Sequence, residues 1–370
     1  MDRVAVVGAG PIGLTAALEL ARLDVPTVVL EAKPTLEPIG SRAIVLAHDA
    51  LATFRRLGCE EIPRKGVRLT RARTHLRETE LFTREFPPAL PDGLPTFVNL
   101  QQTYTERALL ERAEQMGLVD VRFDSIVTGL RQTETSVTLE LANGSEVDAA
   151  YVIAADGARS TVRKLLGVDF PGKSFDDRFL IADVRAQLPF PRDERRFYFD
   201  PPSNPGRQIL IHPQPDGEWR IDWQVPPEAD PEAGLDDRIR ALVGDTPYEL
   251  VWLTSYRFHS RLASRFRVGR VFLAGDAAHL MAPFGARGMN SGVEDATVLA
   301  QAISARDFDR YEAERRPAAI ENLRITGATM RFMAPPTALH RLWRNAILRG
   351  SLRLPPLRRF VNSGKLPTPR

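Results

Sequence analysis

The chain begins with two short apolar stretches on either side of a segment with helical periodicity. Val4 to Val7 contains no polar position, which is typical of a parallel strand buried on both faces. Ile12 to Leu23 repeats apolar side chains at helical spacing, and Val25 to Leu30 is a second, mainly apolar stretch typical of a buried strand. The pattern therefore predicts a strand, a helix and a second strand parallel to the first.

The pattern changes after residue 172. Between there and about residue 265, segments such as "RQILIHP" and "EWRIDWQV" alternate apolar and polar positions and are separated by Pro- and Gly-rich breaks. Alternation of this kind predicts an antiparallel sheet with one buried face. The wholly apolar type of strand then returns in "RVFLAGD". Helical spacing also predicts helices over residues 46–57, 102–115, 289–303 and 308–333, and a hairpin through Asn143-Gly144 precedes a buried strand from Tyr151 to Ala155.

These elements predict an α/β (mixed α+β) protein in which a Rossmann-like domain is interrupted by a sheet domain and then resumed. We expect its first part over residues 1–172, the antiparallel sheet over 173–265, the second part over 266–335 and a basic helical tail over 336–370.

Composition narrows the class of protein. Hydrophobic residues make up 43% of the 370 residues and charged residues 26%, as in soluble globular proteins. The N-terminus lacks the features of a signal peptide, and no apolar run is long enough to span a membrane. A single cysteine, Cys59, excludes an intramolecular disulfide, so we expect a cytoplasmic protein.

Charge is unevenly distributed, although the net charge is only +3. After Glu321 the chain has no acid and accumulates Arg324, Arg331, Arg341, Arg344, Arg349, Arg353, Arg358, Arg359, Lys365 and Arg370. Such a tail can meet a membrane surface or nucleic acid, but it more often covers an acidic face of its own protein or of a partner domain, and we prefer that interpretation. The aromatic residues that single-stranded nucleic acid requires are not interleaved, so no nucleic-acid partner is expected.

"GAGPIG" is the first motif with chemical content. Gly8, Gly10 and Gly13 follow a strand and open a helix, where glycines allow a tight turn, backbone approach to a pyrophosphate and close helix–strand packing. Glu31 ends the second strand about 20 residues on, where a carboxylate can bind ribose hydroxyls. The unit predicts a dinucleotide, either NAD or FAD.

Two later stretches distinguish these cofactors. "YVIAADGARSTVRKLLG" places Asp156 after a strand, and "RVFLAGDAAH" does the same with Gly275 and Asp276. A carboxylate at a strand end can hold a ribityl hydroxyl, and a helix N-terminus beyond it can face a pyrophosphate or an electron-rich ring.

Together, "GAGPIG", Glu31, "ADGARSTVR" and "AGDAAHLMAPFGARGMNSG" resemble the class A flavoprotein monooxygenases, the p-hydroxybenzoate-hydroxylase-like family. Within that family the chain resembles phenolic-ring hydroxylases related to 3-(3-hydroxyphenyl)propionate hydroxylase and polyketide-tailoring oxygenases. The resemblance covers nearly the whole chain, although such hydroxylases often continue into a further domain.

The resemblance implies roles for individual residues. Gly8, Gly10, Gly13 and Glu31 would hold the ADP half of FAD, and Gln102 would contact the middle of the cofactor, with Gln101 as the less favoured alternative. Arg42 would lie beside the flavin, and Asp276 would bind the ribityl chain. Asp156 would lie in a motif linked to both FAD and NAD(P)H. The reactive side of the flavin would be lined by Pro283, Gly285 and Gly288. The backbone amides of Met289 and Asn290 would point to the N1–C2 edge of the flavin.

The implied reaction consumes NADH or NADPH and O2. Reduced FAD would form a C4a-hydroperoxide that hydroxylates an aromatic small molecule, phenolic or polyketide-like. A flavin oxidoreductase that inserts no oxygen, a Baeyer–Villiger oxygenase and a non-catalytic FAD-binding partner subunit remain alternatives, and both a monomer and a homodimer remain open.

Candidate substrate contacts are harder to define. Arg220, Trp223 and Tyr256 lie on strands of the predicted sheet, although Trp223 is as well explained by packing, and Asp222 by an ion pair with Arg220. His279 is better explained by a structural hydrogen bond than by base catalysis. The histidines show no metal-ligand spacing, so no metal site is expected.

Overall fold

The computed structural model describes residues 3–36, 43–228, 230, 232–335 and 337–362. Contacts within the chain divide it into two compact units. The first unit comprises Met1–Arg64, Gln101–Lys173 and His259–Leu323, and the second comprises Lys65–Leu100, Ser174–Phe258 and Arg324–Arg370.

The strands are numbered in chain order. They are β1 Val4–Val7, β2 Thr27–Leu30, β3 Val45–Ala47, β4 Val67–Arg68, β5 Arg71–Leu76, β6 Thr79–Glu85, β7 Phe97–Asn99, β8 Val119–Arg122, β9 Val127–Gln132, β10 Val137–Leu141, β11 Glu146–Ala149, β12 Tyr151–Ala154, β13 Gly172–Ala186, β14 Glu194–Phe199, β15 Gln208–Pro213, β16 Glu218–Val225, β17 Tyr248–Leu262, β18 Arg267–Val268, β19 Val271–Leu273 and β20 His279–Leu280.

The helices are numbered in the same way. They are α1 Pro11–Arg22, α2 His48–Arg56, α3 Glu61–Lys65, α4 Gln102–Gln115, α5 Thr161–Leu165, α6 Leu235–Val243, α7 Arg287–Ala305, α8 Phe308–Met333, α9 Ala338–Ser351 and α10 Pro355–Asn362, with a single 3-10 turn at Gly275–Ala277. No helix among the described residues is long and apolar enough to cross a membrane.

The first unit is built on a sheet with the strand order β18-β19-β12-β1-β2-β8. All of its strands except β18 run parallel, with Val4 of β1 opposite Tyr151 of β12 and Thr27 of β2. Every residue of β1, β2, β12 and β19 is buried, as expected where both faces of a parallel sheet are covered. The predicted strand–helix–strand start and the return of the sheet at β19 are confirmed.

The second unit is built on a mainly antiparallel sheet in which β17, β13, β16, β15, β14, β5 and β6 follow one another. Alternation divides its side chains between two faces. One face packs against α6 and forms an apolar core that includes Ile211, Ile221, Trp223, Ile239 and Val243. The other face carries polar residues at its centre and an aromatic and aliphatic cluster near β6, where Phe332 and Leu348 of the C-terminal helices pack.

The two units divide the sequence differently from the boundaries that composition suggests. Lys65–Leu100 belongs to the second unit because β5 pairs with β14 along six residues, from Glu194 opposite Arg71 to Phe199 opposite Leu76. The end of α8 and the helices α9 and α10 also belong there, since Leu348 and Val361 are buried in its aromatic cluster. Non-local pairing of this kind leaves no signal in local composition.

Candidate functional site

Four strand ends meet at one edge of the first unit's sheet. The neighbouring parallel strands β2, β1, β12 and β19 are followed by Glu31, Gly8, Asp156 and the pair Gly275-Asp276, respectively. Because parallel strands end at the same edge, four motifs that are far apart in the sequence lie side by side. This edge is the place where an open α/β sheet binds its ligand.

The three glycines of the first motif do different things. Gly8 has φ +102°, and a Cβ there would lie 2.6 Å from the Ala155 carbonyl oxygen, so the turn after β1 needs glycine. A Cβ on Gly13 would lie 1.9 Å from the Gly8 carbonyl oxygen, which explains the close approach of α1 to the strand. A Cβ on Gly10 would meet no described atom within 4 Å. Gly10 therefore leaves a space at the N-terminus of α1, where backbone N–H groups favour an anion.

Glu31 is tied to this turn. Its Oε2 accepts a hydrogen bond of 2.7 Å from the Ala9 backbone, and its Oε1 accepts one of 3.1 Å from the Lys33 backbone. Each carboxylate oxygen can accept a second hydrogen bond. The side chain is therefore oriented beside the glycine turn and keeps acceptor capacity for ribose hydroxyls.

Asp156 follows β12, and only one of its two carboxylate oxygens has a hydrogen-bond partner among the described residues. Its Oδ2 accepts from the Val162 backbone at 3.1 Å, at the start of α5, whereas its Oδ1 is buried and finds no partner among the described residues. Nearby, buried Arg163 donates to the Ala277 carbonyl at 2.9 Å and to the Ala158 carbonyl at 3.0 Å. Arg163 thus joins the turn after β12 to the turn after β19, and burial lowers its pKa.

Asp276 sits in the 3-10 turn that follows β19. Its side chain is exposed although the strand before it is buried, because Gly275 adopts φ +58° and turns the chain at the sheet edge. A Cβ on Gly275 would lie 3.0 Å from Ile12 Cγ1, and one on Gly292 would lie 2.6 Å from Ile12 Cδ1. Ile12 of α1 is therefore seated between two glycines, one in this turn and one in α7.

The loop before α7 presents a second helix N-terminus. Gly285 has φ +89° and Ala286 has φ +53°, and no side chain caps the helix that starts at Arg287. A Cβ on Gly288 would meet no described atom within 4 Å, so the first turn of α7 is accessible, as it is at Gly10. Its unpaired N–H groups favour negative charge.

Asn290 has a role beyond its backbone. Its Oδ1 accepts from the Ala47 backbone at 2.8 Å, and its Nδ2 donates to the Val45 carbonyl at 3.0 Å. The side chain therefore fixes β3 against the start of α7. Pro283 and Gly285 are exposed in the loop and Met289 is partly buried, which leaves their surfaces available to a ligand.

Gln102 and Arg42 are the two predicted cofactor contacts that remain. Gln102 opens α4, and its Oε1 accepts from the Ala43 backbone at 3.3 Å while its Nε2 donates to Glu106 at 2.8 Å. Gln101, immediately before the helix, is buried, whereas Gln102 is partly exposed. Arg42 lies outside the described residues, so its predicted place beside the flavin stays a prediction.

Sequence reasoning missed a buried polar network behind this edge. Asp295 of α7 is fully buried; its Oδ2 contacts His279 Nε2 at 2.6 Å and accepts from the Gly275 backbone at 3.2 Å. Its Oδ1 accepts from Arg315 Nε at 2.8 Å, and Arg315 also reaches Ser291. An acid among the apolar positions of α7 was the available signal. The contacts favour the structural interpretation of His279.

The charges of this network stabilise one another. Burial by itself would raise the pKa of Asp295, but the His279 ring and the Arg315 guanidinium hold it below its ordinary value. Burial opposes the charge of Arg315, and Asp295 more than compensates, so that the pKa of Arg315 is raised. The carboxylate therefore stays ionised and anchors the turn at Gly275.

The three substrate candidates in the second unit all have contacts within the protein. Buried Arg220 makes two hydrogen bonds of 2.8 Å to Asp183, not to Asp222, and lies over the Trp252 ring. Trp223 is fully buried in the core against α6, which accounts for it as a packing residue. Tyr256 is partly exposed and lies against Phe258, with ring centroids 5.4 Å apart.

The edge of the first unit fits an adenine dinucleotide carrying a flavin. The space at Gly10 suits a pyrophosphate, Asp156 Oδ1 offers an unpaired buried acceptor, and the start of α7 can stabilise an anionic ring.

Comparison with known proteins agrees with this geometry. Residues 1–326 match the family model described as FAD binding domain. A para-nitrophenol 4-monooxygenase of Pseudomonas sp. (strain WBC-3) is 30% identical, over 87% of this chain and 84% of its own. A 3-(3-hydroxy-phenyl)propionate/3-hydroxycinnamic acid hydroxylase of Mycobacterium avium (strain 104) is 30% identical, over 97% of this chain and 66% of its own.

A solved structure shows the same architecture. The crystal structure of p-nitrophenol 4-monooxygenase from Pseudomonas putida DLL-E4 superimposes with a TM-score of 0.83 at 28% identity, covering 98% of this chain and 97% of the other. The chain therefore belongs to the FAD binding domain family and is an FAD-dependent aromatic monooxygenase of the class A flavoprotein type.

Proposed function

We propose that this enzyme uses NADH or NADPH and O2 to hydroxylate a phenolic or polyketide-like aromatic small molecule. The observation that carries the proposal is the meeting of four strand-end motifs, with two accessible helix N-termini, at one edge of the first unit's sheet. Bound FAD supplies the redox chemistry: it accepts a hydride and activates O2. The flavin C4a-hydroperoxide expected from the sequence belongs to this proposal.

In this proposal the first unit works mainly through its backbone. The N–H groups at the start of α1 hold the pyrophosphate, while Glu31 and Asp276 bind the ribose and ribityl hydroxyls. The N–H groups at Met289 and Asn290 stabilise negative charge that develops on the ring during reduction. Gln102 contacts the middle of the cofactor, and Asp156 keeps one carboxylate oxygen for it or for the nicotinamide nucleotide.

The loop from Pro283 to Gly288 would line the reactive side of the flavin together with Arg42. Pro283 and Gly285 are exposed in this loop, and the proline ring can exclude water without offering a proton donor. Exclusion of water matters in oxygen transfer because it prevents loss of the activated oxygen as peroxide.

The proposal is tested by turnover with isotope. The holoenzyme is mixed with NADPH or NADH and a panel of phenols under 18O2, and the products are analysed by mass spectrometry. We expect one class of phenol to stimulate NAD(P)H oxidation and to gain a single 18O on the ring. Insertion of oxygen between a carbonyl and a ring would indicate a Baeyer–Villiger reaction, and reduction without an 18O product would contradict the proposed oxygen insertion.

We further propose that the protein works in the cytoplasm. Cys59 is buried, and burial raises the pKa of its thiol to about 12, which suits an unreactive cysteine in a reducing compartment.

Size-exclusion chromatography with light scattering distinguishes the monomer from the homodimer, between which the sequence does not decide.

A further inference from the structure

Large apolar side chains are exposed along one face of α9. Leu339, Leu342 and Trp343 expose 74%, 68% and 38% of their surface, and Ala346 is exposed as well. Their spacing of three and four residues places them in one stripe along the helix, and we call these four residues the α9 stripe. Single exposed leucines are ordinary in proteins, whereas several on one helix face indicate a surface that binds a partner.

The opposite face of α9 is fixed to the second unit. Arg344 is buried and donates to the Met333 carbonyl at 3.0 Å, and Leu348 is fully buried in the aromatic cluster near β6. Thr337 caps the helix, where its hydroxyl accepts from the His340 backbone at 3.3 Å. Because these contacts fix the rotation of α9 about its axis, the stripe stays on the outside of the folded unit.

The close approach of α9 and α10 holds the segment between them in place. A Cβ on Gly350 would lie 2.7 Å from Leu357 Cδ1, and Val361 of α10 is buried in the same aromatic cluster. Leu352 and Leu354, which lie between the two helices, are exposed. Of the ten large apolar side chains that are exposed in the described chain, five therefore lie in α9 and this segment.

Arginines without partners accompany the stripe. Arg341, Arg349 and Arg353 are exposed, and none of them makes an ion pair with a residue that the structure describes. Arg349 lies on the same side of the helix as the stripe, seven residues after Leu342. Burial lowers the pKa of Arg344 to about 10, and the charge of Arg341 adds to that effect. Positive charge at this surface is therefore not balanced by acids of the described chain.

An anionic lipid surface matches both properties of α9. Its headgroups attract arginines, and the boundary between headgroups and acyl chains receives leucine and tryptophan side chains. A second copy of the chain is a poorer match. Since no acid follows Glu321 in the sequence, pairing two such helices would bring like charges together.

We propose that α9 binds the surface of an anionic membrane. The α9 stripe enters the boundary between headgroups and acyl chains, while Arg341, Arg349 and Arg353 lie against the phosphate groups. The helix lies in the plane of the surface, because its 14 residues extend about 21 Å and the hydrocarbon core is about 30 Å thick. Binding of this kind is peripheral and depends on salt.

The test measures binding of the FAD-loaded full chain to vesicles by flotation. One set of vesicles contains phosphatidylcholine alone, and the other contains an equimolar mixture of phosphatidylcholine and phosphatidylglycerol. We expect binding to the anionic vesicles to be on the order of 100-fold tighter, from a factor of about five for each of three arginines near the surface. Raising the salt from about 0.1 M to about 1 M should remove most of this preference, because the charges are then screened within about 3 Å.

The fluorescence of Trp343 reports whether the stripe itself enters the lipid. Its emission should shift to shorter wavelength on the anionic vesicles, since the indole ring leaves water. The variant Trp343→Phe should lose that shift while the other tryptophans remain.

Two double variants separate the contributions of the stripe and of its cations. Leu339→Ser with Leu342→Ser should weaken binding to the anionic vesicles at least about tenfold. Arg341→Gln with Arg349→Gln should reduce the preference for anionic over neutral vesicles by about 25-fold. All four positions are exposed, so both variants should keep the circular dichroism spectrum and melting temperature of the wild type.

Matched controls come from other exposed positions of the second unit. Leu250 of β17 is 41% exposed and Arg240 of α6 is exposed, so Leu250→Ser and Arg240→Gln make the same chemical changes away from α9. Neither control should alter binding to either kind of vesicle. An equal loss of binding in the controls and in the α9 variants would overturn the proposal.

Three further results would also overturn it. The first is a wild type that binds neither kind of vesicle or binds both equally. The second is loss of binding in the arginine variant with none in the leucine variant, which would indicate a purely charged surface such as that of an acidic protein. The third is a dimer, seen by light scattering without vesicles, that the leucine variant dissociates, because a second copy would then cover the stripe.

Discussion

Asp295 of the first unit and Asp222 of the second are two aspartates in opposite states. Asp295 in the first unit contacts His279, Arg315 and the Gly275 backbone, and its pKa lies below the ordinary value. Asp222 in the second unit has no such partner among the residues that the structure describes, and its pKa rises to about 7. Burial acts on both in the same direction, so the partners decide the outcome. One carboxylate anchors the turn at Gly275, and the other has a buried oxygen without a partner among the described residues.

The same contrast separates the two units as a whole. The first unit offers mainly backbone groups at glycine turns and helix ends, and its buried Asp295, His279 and Arg315 contact one another. The second unit offers side chains on an alternating sheet face, and several of their buried polar atoms have no partner in the described protein, among them His212 Nδ1 and Asp222 Oδ1. The first unit therefore presents mainly backbone groups to a ligand, whereas the second presents side chains.

Removal of the negative charge of Asp295, which is paired with Arg315, should have the largest effect on the free energy of unfolding. Asp295→Asn leaves Arg315 buried beside a neutral amide, so we expect the free energy of unfolding to fall by about 3–5 kcal/mol and FAD affinity to fall with it. Urea denaturation followed by circular dichroism, with FAD release followed by fluorescence, measures both.

Glu294→Gln is the matched control for that change. Glu294 also contacts Arg315, at 2.8 Å, but its side chain is 64% exposed, so its loss should cost less than about 1 kcal/mol. Equal losses for the two variants would show that the buried network is not what distinguishes Asp295.

A change at Gly10 should separate cofactor binding from folding. A Cβ at Gly10 meets no described atom within 4 Å, so Gly10→Val should fold yet lose FAD affinity by about 100-fold, because the side chain occupies the approach to the helix N-terminus. Gly13→Ala provides the contrast, since its Cβ would lie 1.9 Å from the Gly8 carbonyl oxygen and should destabilise the unit itself. If Gly10→Val bound FAD normally, the pyrophosphate would not lie at this turn.

Asp222→Asn should change the free energy of unfolding by less than Asp295→Asn does, and in the opposite direction. The pKa of Asp222 is about 7 when folded and 3.8 in its unperturbed state, so between these values the folded chain holds the proton more tightly. The contribution of Asp222 to the free energy of unfolding is therefore greatest below about pH 4 and declines as the pH rises to about 7. At pH 8 we expect Asp222→Asn to be more stable than wild type by on the order of 2 kcal/mol.

Urea denaturation at pH 8 and at pH 4 checks this prediction. The gain should appear at pH 8 and disappear at pH 4, where the wild-type carboxyl is already neutral. A loss of stability at pH 8 would mean that Asp222 has an ionic partner in solution, which would remove the contrast with Asp295.

The sequence predicted the first unit well because its motifs record backbone requirements. A left-handed turn at Gly8 and close helix packing at Gly13 each demand glycine, and a strand end followed by Asp276 is visible as an apolar run that stops at an acid. The resemblance to a family supplied the roles. These roles stay predictions, and Arg42 also lies outside the described residues.

The second unit was less predictable for a physical reason. Alternation indicates that a strand has two faces but does not tell which strands are neighbours, and the alignment of Asp222, Leu210 and Phe197 across β16, β15 and β14 depends on that order. Three other features of this unit could not be predicted for the same reason. They are the pairing of Arg220 with Asp183, the inclusion of Lys65–Leu100 in the unit and the burial of Trp223 against α6. Each depends on contacts between distant segments.

Ile12, seated against the positions of Gly275 and Gly292, has a consequence for which nucleotides the enzyme accepts. Ile12 helps to fix the separation of α1 and α7, and hence of the two helix N-termini at the proposed cofactor site. A molecule must be long enough to reach both ends to gain both electrostatic contributions. FMN carries the ring and one phosphate but lacks the adenylate half, so selection of FAD over FMN would fall to the adenosine side, where Glu31 lies beside the glycine turn.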